Sequence, residues 1–477
     1  MTFDELLKLV SSDKAPDIRI DSRLVKAGDI FVAVKGTALD GHDFIDQAVA
    51  NGAKYIVCQK PCRCEDSETI LVDDSAAAAA VLAQASMGNP ASQLTNLAVT
   101  GTNGKTTVAF LVRSCMQTAG RKCGLIGTIF YDTGAETFEA PLTTPDCLTI
   151  AERQSQMLKV GAKYMVIEAS SHALAQKRLA AVNFKAAAFT NLTGDHLDYH
   201  KTKEDYLAAK TKLFTVLSPQ AVAVLNKQSP QAKQIAEKTR AKILWYAVDA
   251  PADIVARIKS MDINETLFSL EYSGQSSLVK TPLLGLHNVC NHLAAAGLCL
   301  AAGFDLETII AGLSALQDVP GRLEKVSWKG DFSVIVDYAH TDDALKNVLT
   351  TLKPLCKGKL RVVFGCGGDR DRTKRPRMAK VAEQLADFVF VASDNPRTEK
   401  QQAIIDEIVA GFENPGSEKI TVEADRRKAI ELAIKSAGKN DIVLIAGKGH
   451  ENYQIIGKQK FDFSDKIVAQ EYLTKIK

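Results

Sequence analysis

The chain has 477 residues, of which 46% are hydrophobic and 24% charged, and its formal net charge is +3. This is the composition of a globular protein with room for about three domains, not that of a disordered chain. So small a net charge gives no electrostatic support for a nucleic-acid or membrane-surface partner. The N-terminal Met1-Thr-Phe-Asp-Glu lacks the basic region of a signal peptide, and no apolar run is long enough to cross a bilayer. We therefore expect a cytoplasmic protein.

Short strands and helices alternate in the first part of the chain. The pattern predicts a strand at residues 29–34, a helix at 44–52 and another around 76–80, and residues 88–92 are typical of a linker. We expect a first α/β domain over residues 1–91.

The cysteines are scattered, and the only cluster is Cys58, Cys62 and Cys64. Their spacing could belong to a zinc site, but no histidine or fourth thiol lies near them in sequence. Ordinary reduced thiols, as expected in a reducing cytosol, are the favoured interpretation.

A glycine-rich loop, Gly101-Thr-Asn-Gly-Lys-Thr-Thr107, follows the apolar run 97–99 and precedes the helix-like run 108–112. The glycines allow a sharp turn, and a helix N-terminus attracts phosphate. Lys105 could reach the β- and γ-phosphates of a nucleotide, and the Thr106 hydroxyl could bind Mg²⁺. Val99 stands where the standard phosphate loop has its first glycine. A glycine-rich loop alone is often just a turn, but this strand–loop–helix context predicts nucleotide binding.

Further strands are predicted at residues 164–167, 187–190 and 221–225, with helical stretches between them. After a break at Val319-Pro-Gly-Arg322, apolar runs recur at residues 334–336, 361–364, 388–391 and 442–445, again separated by helices. Alternation of this kind is the signature of parallel α/β sheets. We expect a central, P-loop-type domain with a parallel sheet over residues 92–321 and a Rossmann-like α/β domain over residues 322–477.

Polar motifs follow six of these strands at their carboxyl ends, where open α/β sheets bind ligands. We therefore expect two sheets that face a shared cleft. The motifs are Glu168-Ala-Ser-Ser-His172, Asn191-Leu-Thr-Gly-Asp-His196, Asp337-Tyr-Ala-His340, Gly365-Cys-Gly-Gly-Asp-Arg370, Asp394-Asn-Pro-Arg397 and Ala446-Gly-Lys-Gly-His-Glu451.

Glu168 and His196 follow two strands that we expect to neighbour the strand of the phosphate loop. A carboxylate and an imidazole at these places could hold a Mg²⁺ that bridges the γ-phosphate and an acceptor. Either residue alone could equally be a helix cap or a core histidine. Lys105 and Thr106 already indicate phosphate, so the metal role is favoured.

Several motifs occur together in a fixed order along the chain. They are the phosphate loop, the motif that begins at Glu168, the run Asp195-His-Leu-Asp-Tyr-His200 followed by Tyr206-Leu-Ala-Ala-Lys210, and the motif that begins at Asp337. This set resembles the Mur ligases of peptidoglycan synthesis, and most of all the MurE branch, which adds the third residue of the stem peptide. The resemblance extends from Asp21-Ser-Arg23 to Glu451. It implies that ATP phosphorylates a carboxylate, that an amine attacks the acyl phosphate, and that phosphate leaves as the amide forms.

The family's lysine at the position of Lys210 is carbamylated by CO₂, which turns an ammonium into a carboxylate that can bind a second Mg²⁺. Without the resemblance, Lys210 would be interpreted as a solvated helix lysine. The resemblance therefore implies ATP and Mg²⁺ as cofactors. The implied catalytic residues are Lys105, Glu168, His196 and Lys210, and the implied metal ligands are Thr106, Glu168, His196 and carbamylated Lys210.

The resemblance also implies binding residues for both nucleotides. Two of the implied ATP-binding residues, Asn288 and Asn291, are asparagines near a helix start, where the alternative role is a helix cap. Contributions from both later domains would complete the ATP site only on domain closure. The implied ATP-binding residues are Gly101, Thr102, Asn103, Gly104, Lys105, Thr106, Thr107, Asn288, Asn291, Arg322, Asp337 and His340. Those for the UDP-sugar peptide are Ser22, Thr37, Ala38, Leu39, Thr143, Thr144, Ser170, Gln176 and Arg178.

The choice of amine depends on Asp394-Asn-Pro-Arg397. Meso-diaminopimelate differs from lysine by a carboxylate beside its distal amine, and arginine can bind such a carboxylate bidentately. The motif resembles the family's diaminopimelate signature, whose arginine the lysine-adding relatives lack. Bound lysine would leave Arg397 buried without a partner, at a cost in binding energy. The implied set is Arg370, Asp394, Asn395, Pro396, Arg397, Gly447 and Glu451.

Residues 369–377 carry five cations and two aspartates, a balance of 5 − 2 = +3. Charge runs of this kind are usually solvated. We expect most of these arginines to be solvated and only Arg370, beside the glycine pair, to have a role in a site.

We expect an ATP-dependent ligase that adds meso-diaminopimelate to UDP-N-acetylmuramoyl-L-alanyl-D-glutamate, acting as a monomer without nucleic-acid or membrane partners. A lysine-adding reaction is one alternative. A ligase like folylpolyglutamate synthase is another, but it would leave residues 394–397 unexplained and give the first domain no nucleotide to hold. A scaffolding protein that has lost the chemistry would show damage at Lys105, Glu168, His196 or Lys210, and all four are intact.

Overall fold

The computed structural model describes residues 1–12, 15–37, 39–62, 64–193, 197–200 and 202–476. The chain forms two compact units. Unit 1 comprises Met1–Val255, Glu271–Ser277 and Cys290–Leu313, and unit 2 comprises Ala256–Leu270, Leu278–Val289 and Ser314–Lys477. None of the helices in the described part of the chain combines the length and the apolar character that crossing a bilayer requires.

Unit 1 begins with a four-stranded parallel sheet in the order β1-β2-β3-β4. Apolar residues of its strands, such as Ile30 and Val32, pack against Leu6 and Val10 of the first helix. Thr2 and Glu5 form a capping box that starts this helix. The elements are α1 (Phe3–Val10), β1 (Ile18–Arg19), β2 (Ile30–Val32), α2 (Ile45–Ala50), β3 (Tyr55–Cys58), β4 (Glu68–Leu71) and α3 (Ser75–Ser86), with 3₁₀ turns at Ser22–Leu24 and Gly41–Phe44.

The segment predicted to be a linker, residues 88–92, is partly helical. A short helix, α4 (Pro90–Gln93), begins there, and its Pro90 and Ala91 are buried. The Ala91 amide donates to Gln84 Oε1 at 2.9 Å, and Gln84 Nε2 donates to Gln154 Oε1 at 2.7 Å. These buried long-range contacts, which the local sequence does not show, hold the segment in place.

The second sheet of unit 1 places eight strands in the order β12-β11-β10-β5-β9-β6-β7-β8. The strands from β12 to β6 are parallel to one another, whereas β7 is antiparallel to both of its neighbours, β6 and β8. The elements are β5 (Thr95–Thr100), α5 (Lys105–Thr118), β6 (Cys123–Ile126), β7 (Phe130–Asp132), β8 (Thr137–Glu139), α6 (Cys147–Lys159), β9 (Tyr164–Glu168), α7 (Ser171–Ala175), β10 (Phe184–Phe189), α8 (Leu197–His200), α9 (Lys203–Thr215), β11 (Val222–Asn226), α10 (Pro230–Lys238) and β12 (Lys242–Val248).

Strand β5 lies between β10 and β9, and the register pairs Thr100 with Phe189 and Val99 with Glu168. The carboxyl ends of these three strands therefore meet at one edge of the sheet. This confirms that the strands before Glu168 and before Asn191 are the neighbours of the phosphate-loop strand.

The chain passes between the two units within a group of three strands and two helices. The strands neighbour one another in the order β13-β14-β15. Ser114 of α5 donates to the carbonyl of Gly312 at 2.7 Å, which ties the last helix of this group to the core of unit 1. The elements are β13 (Ile254–Met261), β14 (Thr266–Tyr272), β15 (Gln275–Thr281), α11 (Leu286–Ala301) and α12 (Leu306–Ala315).

Unit 2 contains a six-stranded sheet in the order β16-β17-β21-β18-β19-β20, parallel except for β16. Alternate residues of its strands enter separate cores: Val362 and Phe364 pack in one, Val363 in the other. The elements are β16 (Glu324–Lys325), β17 (Ser333–Asp337), α13 (Asp342–Leu352), a 3₁₀ turn (Lys353–Leu355), β18 (Leu360–Phe364), α14 (Lys374–Leu385), β19 (Phe388–Val391), α15 (Gln401–Val409), β20 (Ile420–Val422), α16 (Arg426–Lys435), β21 (Ile442–Ala446), the hairpin β22 (Tyr453–Ile456) and β23 (Gln459–Asp462), and α17 (Asp465–Leu473).

Candidate active site

The phosphate loop connects β5 to the first turn of α5, as predicted. Gly101 and Gly104 have φ angles of 149° and 89°, which are unfavourable for other residues. A Cβ atom at Gly101 would overlap the Thr190 hydroxyl, and one at Gly104 would overlap the Asn291 amide. Both glycines are therefore required by conformation and by close packing.

The loop is held from β10 by residues that the sequence analysis did not assign. The Thr102 amide donates to the Asn191 carbonyl at 2.9 Å, and the Asn103 amide donates to Asn191 Oδ1 at 3.0 Å. The Thr190 hydroxyl donates to the Asn103 carbonyl at 2.6 Å. Asn191 begins the polar motif that follows β10, and this position at a strand end could have indicated its role.

Glu168 is completely buried at the end of β9, and three neutral groups donate to its carboxylate. The Thr106 hydroxyl donates to Oε2 at 3.0 Å, the Thr128 amide to Oε1 at 2.8 Å, and the Thr128 hydroxyl to Oε2 at 3.0 Å. Thr128 was missed, although it follows a strand end with the sequence Ile126-Gly127. Neutral donors hold the carboxylate in place without neutralising its charge.

Two lysines also reach the loop. Lys105 Nζ donates to the carbonyls of Gly101 and Thr102 at 3.0 and 2.9 Å. Lys210 Nζ donates to the Gly101 carbonyl at 2.9 Å and lies 4.3 Å from the centroid of the Tyr206 ring. Lys210 is 1% exposed, so the interpretation as a solvated helix lysine is wrong. We call residues 101–107, Thr128, Glu168 and Lys210 the phosphate-loop cluster.

The oxygen atoms of Thr106 and Glu168 are the type of ligand that Mg²⁺ prefers, and their contact places them in one site. His196, the other expected metal ligand, lies outside the described residues. Within the described ranges, no group of three or more His, Cys, Asp or Glu residues is arranged to hold a metal ion.

The residues expected to bind the muramoyl peptide form a connected network beside Glu168. The Thr144 hydroxyl donates to the Glu168 carbonyl at 2.5 Å and lies 3.1 Å from the Ser170 hydroxyl. Arg178 donates to the Thr144 carbonyl at 2.6 Å and to Gln176 Oε1 at 2.6 and 3.0 Å.

Thr143 completes this network, because its hydroxyl lies 3.1 Å from that of Thr128. Thr128 thus links Thr143 to the Glu168 carboxylate. The structure brings this expected peptide set and the expected metal carboxylate into one hydrogen-bonded network.

The residues expected to bind UDP lie around the first sheet of unit 1. Ser22 is buried, and its hydroxyl donates to Gln47 Oε1 at 2.7 Å. Thr37 is exposed, Leu39 is 67% exposed, and the Gly36 amide closes a turn on the Leu39 carbonyl at 2.9 Å. Ala38 lies outside the described residues.

Asn288 and Asn291 are both buried near the start of α11. Asn288 Nδ2 donates to the Leu284 carbonyl at 2.8 Å, whereas Asn291 packs against Gly104 of the phosphate loop. The bond from Asn288 is not an N-terminal cap, in which a side-chain oxygen accepts from a backbone amide.

In unit 2, the Asp337 carboxylate accepts from the amides of Leu323 at 2.7 Å and Ala339 at 2.8 Å. Burial raises the pKa of Asp337, while the charge of Arg322 opposes this shift. The Arg322 guanidinium lies 4.9 Å from the centroid of the Tyr338 ring, and the exposed His340 contacts the Tyr338 carbonyl through Nδ1 at 2.8 Å. These three expected ATP residues thus surround one strand end.

The expected diaminopimelate residues meet at the ends of β19 and β21. Asn395 Nδ2 donates to Glu451 Oε2 at 3.0 Å, and a Cβ atom at Gly447 would lie 3.0 Å from Asp394 Oδ2. Arg397 Nη1 donates to the Gly368 carbonyl at 2.8 Å. Lys448, which the sequence analysis missed, is fully buried between these carboxylates. We call Asp394, Asn395, Arg397, Lys448 and Glu451 the β19–β21 cluster.

Arg397 differs from the expectation in one respect. It is half-buried rather than buried, and it already has a carbonyl partner. Its φ angle of 52° is unusual for a residue other than glycine. Gly367 lies against both arginines: a Cβ atom there would be 2.8 Å from Arg397 Nη1 and 3.9 Å from Arg370 Cγ. The Cγ atom of the exposed Arg370 and the guanidinium of Arg397 therefore both lie beside Gly367.

Three family models match the chain: the Mur ligase family catalytic domain over residues 17–92, the Mur ligase middle domain over 99–299, and the Mur ligase glutamate ligase domain over 321–449. A UDP-N-acetylmuramoyl-L-alanyl-D-glutamate–2,6-diaminopimelate ligase of Bacillus cereus is 45% identical over 463 residues, which cover 96% of this chain and 94% of the relative. The chain belongs to the Mur ligase family. The expected α/β class and its three-domain Mur ligase fold are thereby confirmed.

Other Mur ligases support this assignment over the whole chain. A ligase of the same description from Gloeobacter violaceus is 44% identical over 485 residues, covering 100% of this chain and 98% of the relative. A solved structure of such a ligase has a TM-score of 0.70 at 33% identity and covers 100% of this chain and 99% of the other. Folylpolyglutamate synthase of Mycobacterium tuberculosis has a TM-score of 0.62 at 19% identity, covering 83% of this chain and 94% of that one, and shares the fold alone.

In this Mur ligase the prediction that most arginines of residues 369–377 are solvated is confirmed for Arg370, Arg372 and Arg377, which are exposed, and is wrong for Arg375. Arg375 is fully buried and donates to Glu399 at 2.8 and 2.9 Å and to Glu407 at 2.8 Å. Arg372 pairs with Glu407, and Arg377 pairs with Asp342 at 2.9 Å. Glu399 Oε1 also accepts from the Asp369 amide at 2.6 Å. The run is thus a structural ion-pair network that holds the loop carrying Arg370.

The three clustered cysteines of this Mur ligase are free thiols. Cys62 Sγ lies 3.6 Å from Cys58 Sγ and 3.9 Å from Cys64 Sγ. Burial, followed by the hydrogen bond with Cys62, raises the pKa of Cys58 to about 12.

Proposed function

We propose that this chain is an ATP-dependent amide ligase that joins meso-diaminopimelate to UDP-N-acetylmuramoyl-L-alanyl-D-glutamate through an acyl phosphate. The observation that carries the proposal is the β19–β21 cluster. It combines carboxylates, an amide and an arginine in a chain 45% identical to a ligase described by this reaction. The proposed location is the cytoplasm, and the proposed active form is a monomer.

The β19–β21 cluster has the chemistry that the distal end of diaminopimelate requires. That end carries an ammonium beside a carboxylate. Arg397 and Arg370 would receive the carboxylate, and Asp394, Asn395 and Glu451 would accept from the ammonium. Pro396 fixes the turn between these side chains, and Gly447 leaves room beside Asp394. Lysine lacks the distal carboxylate, so it would leave the arginines without their anion.

The phosphate-loop cluster would bind the ATP phosphates. Lys105 and the first turn of α5, with Thr106 and Thr107, would receive them, while residues 101–104 shape the loop. Thr106, Glu168, His196 and carbamylated Lys210 would hold Mg²⁺, which neutralises phosphate charge when bound. Carbamylation leaves one N–H on Nζ, so the bond from Lys210 to the Gly101 carbonyl can persist. The chain's own residues mainly position the reacting groups and stabilise charge.

The remaining assignments form part of the same proposal. The muramoyl peptide would contact Thr143, Thr144, Ser170, Gln176 and Arg178, whose network reaches Glu168. Domains over residues 1–91, 92–321 and 322–477 would carry the UDP, ATP and amino-acid functions. The proposed UDP residues are Ser22, Thr37, Ala38 and Leu39, and the further ATP residues are Asn288, Asn291, Arg322, Asp337 and His340.

A substrate-panel assay tests the proposal. The protein is incubated with ATP, Mg²⁺ and UDP-N-acetylmuramoyl-L-alanyl-D-glutamate, and phosphate release is measured with meso-diaminopimelate, lysine or glutamate. We expect release with diaminopimelate and a far lower kcat/KM with the other two. Efficient phosphate release with lysine alone would indicate the lysine-adding reaction instead. Efficient phosphate release with glutamate alone would indicate a ligase of the folylpolyglutamate type. Omission of the UDP-dipeptide is the control.

A further inference from the structure

Lys448 is a buried cation to which neither the resemblance nor the comparisons assign a role. It follows β21 and is 0% exposed. Its Nζ lies 3.1 Å from Glu451 Oε2, 3.1 Å from Asn395 Oδ1 and 3.7 Å from Asp394 Oδ1. One ammonium thus contacts three of the residues that are proposed to bind the distal end of diaminopimelate.

The contacts of Lys448 determine how the Asn395 amide is oriented. Lysine can only donate, so the amide oxygen must face it. That oxygen also accepts from the Ile455 amide at 2.9 Å, which leaves Nδ2 to donate to Glu451 Oε2 at 3.0 Å. Loss of the ammonium removes one of the two donors that fix the amide and leaves the Glu451 carboxylate with the weaker, uncharged donor.

Lys448 also balances the charge of the cluster. Asp394 is 6% exposed, and a buried carboxylate is costly unless it is paired. A second buried cation, Arg426, donates to Asp465 through two bonds of 2.7 Å, and neither of these two side chains is exposed. Asp465 therefore offsets the charge of Arg426, whereas the charge of Lys448 faces Asp394 and Glu451.

We propose that Lys448 is a positioning residue for the amino-acid substrate. Its ammonium holds the Glu451 carboxylate and the Asn395 amide in the arrangement that receives the distal, zwitterionic end of the amino acid. Lys448 acts through these residues and does not contact the reacting atoms. Its removal therefore weakens amino-acid binding more than turnover. The inference rests on the proposed function and adds a determinant of substrate binding to it.

The test compares Lys448→Met with the matched control Lys460→Met. Lys460 is a suitable control because it is an exposed lysine near the same tyrosine. Its Nζ lies 4.1 Å from the centroid of the Tyr453 ring, and that of Lys448 lies 5.5 Å from it. We expect Lys448→Met to raise the KM for diaminopimelate about ten- to a hundredfold. The KM values for ATP and the UDP-dipeptide should stay within about twofold, because those substrates are bound elsewhere. The control should leave all KM values unchanged.

Lys448→Gln keeps a donor for Asn395 but removes the charge, so we expect a smaller rise in the same KM. An unchanged KM for diaminopimelate in folded Lys448→Met protein overturns the inference. So does a fall in kcat with all KM values unaltered. If Lys448→Met does not fold, Lys448→Gln decides, and failure of both to fold assigns Lys448 a structural role instead. Wild-type protein that does not use diaminopimelate would refute the proposed function itself, a distinct result.

Discussion

Two clusters of polar residues, one in each unit, hold their charges in different ways. In the phosphate-loop cluster, neutral hydroxyls and amides hold Glu168, and backbone carbonyls accept from Lys105 and Lys210. In the β19–β21 cluster, Lys448 lies directly between Glu451 and Asp394. Neutral donors leave the charge of Glu168 available for a metal ion, whereas paired charges suit a substrate end that is itself zwitterionic. Changes in the first cluster should therefore affect chemistry, and changes in the second should affect selectivity.

The largest effect should come from Lys210→Ala. In the proposed mechanism the amine of Lys210 would be carbamylated and would hold a second Mg²⁺, so we expect kcat to fall by about a thousandfold or more without it. Excess short-chain carboxylate should partly restore phosphate release. Lys212→Ala, on the same helix and exposed, is the matched control. Unchanged activity of Lys210→Ala would refute the carbamate.

Arg397→Ala should change selectivity rather than chemistry. Loss of the guanidinium should lower kcat/KM for diaminopimelate about a hundredfold, because Arg397 is the proposed bidentate partner of the distal carboxylate. The kcat/KM for lysine should change little, so the ratio of kcat/KM for diaminopimelate to kcat/KM for lysine should fall. Steady-state assays with both amines measure that ratio. An equal loss for both would show that Arg397 has a general structural role.

Thr128→Val should have a smaller effect. The substitution removes the hydroxyl that bonds Glu168 and contacts Thr143, while the backbone amide that donates to Glu168 remains. We expect kcat to fall about tenfold, since one hydrogen bond to a charged group is lost. Thr128→Ser keeps the hydroxyl and should retain activity. If the serine variant were as impaired as the valine variant, the hydroxyl would have no part in catalysis.

The strand-end residues of both clusters could be predicted in outline, because parallel sheets collect ligands at one edge. The role of Lys210 was implied only by the resemblance to the Mur ligases. The predictions failed where a residue's environment depends on distant partners. Arg375 lies in a basic run that a local reading treats as solvated, yet its acidic partners are 24 and 32 positions away. Lys448 and Thr128 were missed for the same reason, since their roles depend on Asn395, Glu451 and Glu168.

The smallest effect concerns stability at acid pH. The hydrogen bonds from Arg375 hold the pKa of Glu399 down at about 2. The ionised carboxylate therefore stabilises the fold above its unfolded pKa, and this stability is lost as the pH falls from about 4.5 to about 2.

We expect this contribution to be about 1–2 kcal/mol, after allowing for solvent screening of a partly exposed group. Glu399→Gln should lack this part of the pH dependence, and the exposed Glu418→Gln should keep it. Denaturant unfolding followed across this pH range measures the difference. Identical profiles for wild type and Glu399→Gln would contradict the assignment.

We propose that the γ-phosphoryl group of ATP bound at the phosphate loop passes to a substrate carboxylate, and that the amine then attacks the acyl phosphate. Transfer of ¹⁸O tests it most directly. The UDP-dipeptide is labelled in the carboxylate that becomes the amide, and the released phosphate is analysed by mass spectrometry after reaction with ATP and diaminopimelate. The acyl phosphate predicts one labelled oxygen in each phosphate released. Phosphate without label, formed alongside the amide product, would contradict the account.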